Sequence, residues 1–128
     1  MMLEIRQYKP GMIADFYIQC KGDHSGRPLK FPIPNCFAVT TDIANLEQLV
    51  YALYVGRYFE PHIKGSVVPY IRIADAFEVI WLGIERQNGK ALEVLKTLEK
   101  IERQQVAIKS QLGLIQQLRV GLARKVFM

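Results

Sequence analysis

The side chains best able to hold a metal lie in the first half of the chain: Cys20, His24 and Cys36, with His62 as a fourth. Thiolates and imidazoles suit zinc. The spacing fits no recognised zinc module, however, and two residues between the first ligands would be more usual. No metal and no other cofactor is expected, and His24 reads as a loop residue. The run Lys21-Gly22-Asp23-His24-Ser25-Gly26-Arg27 offers small residues and bases that could cradle an anion. It lacks the Gly-Lys-Ser/Thr end of a P-loop and no helix signal follows it, so an ordinary turn is the simpler reading. No Ser/His/Asp order, no carboxylate pair on a common face and no Gly-x-Ser-x-Gly stands out, so the chain is not expected to be an enzyme. Tyr51, Tyr54, Tyr58 and Phe59 could stack on bases, but at helical spacing they read as core and rim.

Composition sets the class. A length of 128 residues suits one structural unit, and 50% hydrophobic residues can build a core. No apolar run approaches the ~20 residues that span a bilayer. Glu4 and Arg6 stand where a signal peptide needs an apolar stretch, so a cytoplasmic protein without membrane contact is expected. Two cysteines make no disulfide framework and read as buried thiols. The net charge of +5 is unevenly placed. Residues 1–89 hold nine Lys/Arg and nine Asp/Glu, whereas residues 90–128 hold eight Lys/Arg and three Glu. The excess therefore belongs to the last third. It is either a solvated helix face or a basic strip for a phosphate backbone or an acidic protein.

The elements that must position these groups follow from local pattern. Residues 2–8 and 12–20 read as strands joined in a hairpin across the Pro10-Gly11 turn. Residues 21–35, with two glycines and three prolines, read as a loop, and residues 36–41 as a strand entering the core. A helix follows, with Asn45 and Gln48 as a capping box and Leu46, Leu49, Val50 and Leu53 on one face. Gly56 and Pro61 bracket its end. Residues 59–73 are extended, since Gly65 and Pro69 oppose a helix. Asp75 and Glu78 form a second capping pair for a short helix whose face is Phe77, Ile80, Trp81 and Ile84, ending at Asn88-Gly89. The class is α+β: a small mixed or antiparallel sheet, two short helices and one long C-terminal helix of coiled-coil type. Residues 1–89 form the globular part and residues 90–128 the helix.

The proline-free stretch 90–126 reads as one helix of ~55 Å. Val94, Leu98, Ile101, Ile108, Leu112, Ile115, Leu122 and Val126 recur in alternating steps of four and three, the seam of a coiled coil. One of the two alternating core positions is apolar throughout, and the other is interrupted by Gln105 and Arg119. Leu92, Leu95, Leu114 and Leu118 widen the stripe. Gly113 and Gly121 each cost about 1 kcal/mol relative to alanine. Such a face packs on a partner helix, most simply that of a second copy in a homodimer.

From Phe37 onward the order of features resembles a target-recognition region of type I restriction–modification specificity subunits. The counterparts are Phe37-Ala38-Val39, Leu49 to Leu53, and Ile63-Lys64-Gly65-Ser66-Val67-Val68-Pro69-Tyr70-Ile71, followed by Asp75-Ala76. The long helix supplies Leu95-Lys96-Thr97-Leu98-Glu99-Lys100-Ile101-Glu102 and the closing Gly121-Leu122-Ala123-Arg124-Lys125-Val126-Phe127. The resemblance covers about 90 residues and implies a reduced, non-catalytic DNA-recognition adaptor. It would contact duplex DNA through loops carrying Lys21, Arg27, Lys30, Arg57, Lys64, Ser66 and Arg72, or dock a methyltransferase subunit. The alternative is a dimeric interaction or scaffold protein with no nucleic-acid contact.

Overall fold

The computed structural model describes all 128 residues. They divide into two compact units, residues 1–89 and residues 90–128. The first unit contains strands β1 (Leu3–Gln7), β2 (Phe16–Gln19), β3 (Pro28–Leu29) and β4 (Cys36–Thr41), then helices α1 (Leu46–Val55) and α2 (Ile73–Arg86). The second is essentially one helix, α3 (Ala91–Lys125). The architecture is α+β, with an antiparallel four-stranded sheet in the order β1-β4-β2-β3. None of the helices is long and apolar enough to cross a membrane.

Sheet order corrects the expected hairpin. β1 and β2 do not pair with each other; both pair antiparallel with β4, Ile5 opposite Val39 on one side and Ile18 opposite Phe37 on the other. The cause is the composition of β4. Cys36, Phe37, Ala38 and Val39 are all buried, and a strand apolar on both faces takes the centre of a sheet, where both edges and both faces are covered. β1 and β2 therefore run parallel to one another, and the chain between them must cross back over the sheet. Residues 8–15 do so: Tyr8 N–H donates to the Cys36 carbonyl at 3.0 Å and Asp15 N–H to the Val39 carbonyl at 2.9 Å. Tyr8, Met12 and Ala14 then cover the face made by Tyr17, Cys36 and Ala38. Residues 12–15, expected as strand, belong to this crossing.

The opposite face follows the two-residue period of strands. Phe16, Ile18, Phe37 and Val39 point to the helices, with Leu3 and Ile5 at the edge. From α1, Leu46, Val50 and Leu53 are buried and Leu49 packs beside them, as its periodicity requires. The expected capping box is absent. Asn45 adopts a left-handed conformation (φ 61°) and makes no side-chain cap bond, a backbone state that asparagine tolerates better than most residues. Asp42, three residues upstream, accepts from the Met2 N–H at 2.6 Å.

α2 begins two residues before Asp75, so Asp75 lies inside its first turn and Glu78 in the second, and neither caps it. Of its expected face, Ile80 is buried and Ile84 packs against the core, but Ala76 and Val79 complete the buried side in place of Phe77 and Trp81. Those two rings lie near-parallel, with centroids 6.1 Å apart, and Phe77 is exposed. The small Ala76 side chain lets the helix lie close to the strands, which leaves the large aromatics at the rim.

α3 spans 35 residues, ~52 Å at 1.5 Å per residue. Leu95 is its one buried residue, and every residue from 101 onward is exposed.

Candidate functional site

The loop after β2 is held by its own backbone and by one ring. Gly26 N–H donates to the Gln19 carbonyl at 2.8 Å, and Ser25 Oγ, itself buried, donates to the Gly22 carbonyl at 2.7 Å. Gly26 has φ +97°, and a Cβ there would stand 2.8 Å from Cδ2 of Phe59. Phe59 is 1% exposed and belongs to the core. The loop is thus closed over Phe59 at a point that only glycine fills without strain. His24 Nδ1 lies 3.0 Å from the Tyr54 hydroxyl, which ties the loop to α1. This is a structured turn, and its bases do not converge into an anion cradle. Arg27 points back onto the sheet, its guanidinium donating to Gln19 Oε1 at 3.1 Å.

A second segment joins this edge. Residues 64–70 form a narrow turn in which the Lys64 and Tyr70 backbones exchange hydrogen bonds of 2.9 Å in both directions. Gly65 makes the turn at φ +100°, where a Cβ would overlap the carbonyl oxygen of Val68. Gly22 N–H donates to the Pro69 carbonyl at 2.8 Å and Ile71 N–H to the Cys20 carbonyl at 3.0 Å, so residues 69–71 run alongside residues 20–22. The backbones of Lys21 and Lys64 are thereby aligned on either side of Tyr70, with Arg72 two residues further along the chain. Lys21 and Arg72 border an open cleft of about 390 Å³ with Gln7 and Tyr70, over a floor that includes Cys20 and Phe37. Arg72 donates from Nε to Asp75 Oδ2 at 3.1 Å.

The other residues expected at a DNA surface are not brought into this group by any of these bonds. Lys30 is exposed beyond β3, and Ser66 is exposed on the turn. Arg57 forms a surface ion pair with Glu60 at 3.9 Å. The aromatic platform does not assemble: Phe59 is core, Tyr54 meets His24, and Tyr58 is exposed at the rim.

The metal-ligating candidates also separate. Cys20 packs on the helix side of the sheet and Cys36 on the other face, and burial pushes both thiols up from their ordinary pKa. A different trio is gathered instead. His62, Asp75 and Glu78 place one ligand atom each within 4.8 Å of one another. His62 Nδ1 is 3.8 Å from Asp75 Oδ1, while the other oxygen of Asp75 holds Arg72. With a guanidinium already neutralising Asp75, the trio fits a polar cluster around the Arg72–Asp75 ion pair at the start of α2. Of these contacts only the three-residue spacing of Asp75 and Glu78 could be seen in the sequence. His62 stands out there only as a possible soft ligand beside Cys20, His24 and Cys36, and the placement of His62, Gln7 and Tyr70 carries no local signal, because long-range packing sets it.

Together these features describe a small α+β sheet unit, built on tied loops, with a long helix of exposed apolar character. The chain belongs to a family of unknown function, DUF6943, whose profile matches residues 5–125. No curated protein and no solved structure matches it.

Proposed function

We propose that the chain is a non-catalytic interaction module that assembles with a second copy of itself through α3. The observation that carries this reading is the exposed seam. Ile101, Ile108, Leu112, Ile115 and Leu122 are each 47–59% exposed along one stripe of a single helix. Full burial of a Leu or Ile side chain is worth ~1.5–3 kcal/mol, so a facing helix that covered this stripe would be strongly favoured. Isolated apolar residues on a surface are ordinary, but a contiguous stripe of this length marks an interaction face. The test is the mass in solution by light scattering at tens of micromolar. The wild type is expected near two chains. Ile108→Asp with Ile115→Asp, which puts two carboxylates into apolar layers, is expected near one. A wild-type mass of one chain refutes the proposal.

A second reading, contact with duplex DNA, is favoured by the alignment of Lys21 and Lys64 on either side of Tyr70, by the cleft that Lys21 borders with Arg72, and by the basic excess of residues 90–128. It is the role implied by the type I specificity-subunit resemblance. Binding of this kind weakens steeply with salt as counterions are released. Lys64→Ala with Arg72→Ala should then lower affinity for a random duplex at 50 mM salt by about tenfold or more, on phosphate contacts. Absence of any mobility shift at micromolar protein and low salt removes this reading and leaves the first untouched.

A further inference from the structure

We infer that the two copies of α3 run antiparallel, in a register centred on Ser110. The inference rests on the assembly proposed above and on a separate observation, the segregation of charge along the helix. Residues 90–102 carry Lys90, Lys96 and Lys100 against Glu93, Glu99 and Glu102. Residues 103–128 carry Arg103, Lys109, Arg119, Arg124 and Lys125 with no acidic residue at all. All of the chain's net positive charge therefore lies on the distal part of one helix.

A parallel in-register pair sets these two cationic segments side by side. Their separation across a helix pair is comparable with the Debye length of about 8 Å at physiological salt, so screening relieves the repulsion only in part. The seam adds to this. In a parallel pair each core residue meets its own copy, so Arg119 would face Arg119 within an apolar layer and Gln105 would face Gln105. Like charges brought together and desolvated oppose that arrangement.

Reversing one helix removes both conflicts. In antiparallel packing the two kinds of core position meet each other, and one register uses every seam residue. Val94 then lies against Val126, Leu98 against Leu122, Ile101 against Arg119, Gln105 against Ile115, and Ile108 against Leu112. No polar residue meets its own copy. Arg119 has a long apolar stem that can lie along Ile101 while its guanidinium reaches the edge of the pair. The same register sets the electroneutral third of one helix beside the cationic end of the other. Glu93 comes level with Arg124 and Lys125, and Glu99 and Glu102 with Arg119, all within about 5 Å along the axis at 1.5 Å per residue. Lys109 alone remains level with its own copy.

The experiment is pulsed dipolar spectroscopy on the full chain, with one nitroxide label at a time, on Lys96→Cys and on Ser110→Cys. Both positions are exposed, and both fall on the outer side of the heptad repeat, away from the seam. The buried native thiols, Cys20 and Cys36, are controlled by labelling the wild type under native conditions. The antiparallel register predicts a short distance at residue 110, where axial separation vanishes. At residue 96 it predicts at least about 42 Å, from twice fourteen residues at 1.5 Å each. Short and equal distances at both positions mean a parallel pair and overturn the inference while leaving the dimer standing. Long distances at both overturn the register. A single-chain mass with no dipolar signal overturns the dimer itself.

Discussion

Replacing Gly26 by alanine probes how firmly the loop of residues 21–27 is clamped to the core. The backbone there sits at φ +97°, a left-handed state that costs an L-residue roughly 1–2 kcal/mol. The new methyl group would also stand 2.8 Å from Cδ2 and 2.9 Å from Cγ of Phe59. Phe59 is among the largest fully buried side chains, so it cannot swing into solvent and must push against its neighbours. Overpacking of this kind costs about 1–3 kcal/mol. The sum, ~2–5 kcal/mol, should lower the melting temperature by about 8 °C or more, at 4–8 °C per kcal/mol for a unit of this size. Gly11→Ala is the control. Its φ is +92°, but nothing lies within 4 Å of a Cβ there, so only the backbone contribution applies. Urea denaturation of both variants, followed by circular dichroism, separates the two contributions. Equal losses at Gly11 and Gly26 would refute the claim that this loop is closed over Phe59. The outcome bears on the proposed DNA contact, because the same loop carries Lys21 to the cleft it borders with Arg72.

Two further predictions concern the thiols and metal. Cys20 and Cys36 are buried and free, and burial raises the pKa of both. Neither should react with a thiol reagent at neutral pH in seconds, and both should do so in denaturant. Because the folded state holds the thiol protons more tightly than the unfolded one, their contribution is fully present below the ordinary thiol pKa. It falls as pH rises through that value toward the raised one, so stability should decline on the alkaline side. Flat stability across that range would refute the assignment. Protein purified without chelator should carry less than about one zinc per ten chains, because a structural zinc site fills fully. Near-stoichiometric zinc would make His62, Asp75 and Glu78 the first ligands to mutate.

Periodicity within the sequence determined the elements whose order is local. The steps of four and three from Val94 to Val126 specify a helix with one apolar stripe, and Leu46, Val50 and Leu53 specify the buried face of α1. Such patterns need no knowledge of distant residues, because helical hydrogen bonds close within four positions. The run from Cys36 to Val39 likewise announced a buried strand. Tertiary structure alone decided that β4 lies between β1 and β2, displacing the hairpin suggested by Pro10-Gly11. The pairings of β4 join residues some twenty to forty positions apart, and a local turn signal cannot rank such partners. Packing likewise turned α2 onto Ala76 and Val79 instead of Phe77 and Trp81, since closeness of approach outweighed side-chain size. It also decided which cations meet. Lys21 and Arg72 border one cleft only because residues 69–71 align with residues 20–22, while Arg27, close to Lys21 in sequence, turns back to Gln19. Side-chain chemistry is written in the sequence, but convergence of side chains from separate segments is a property of the folded backbone.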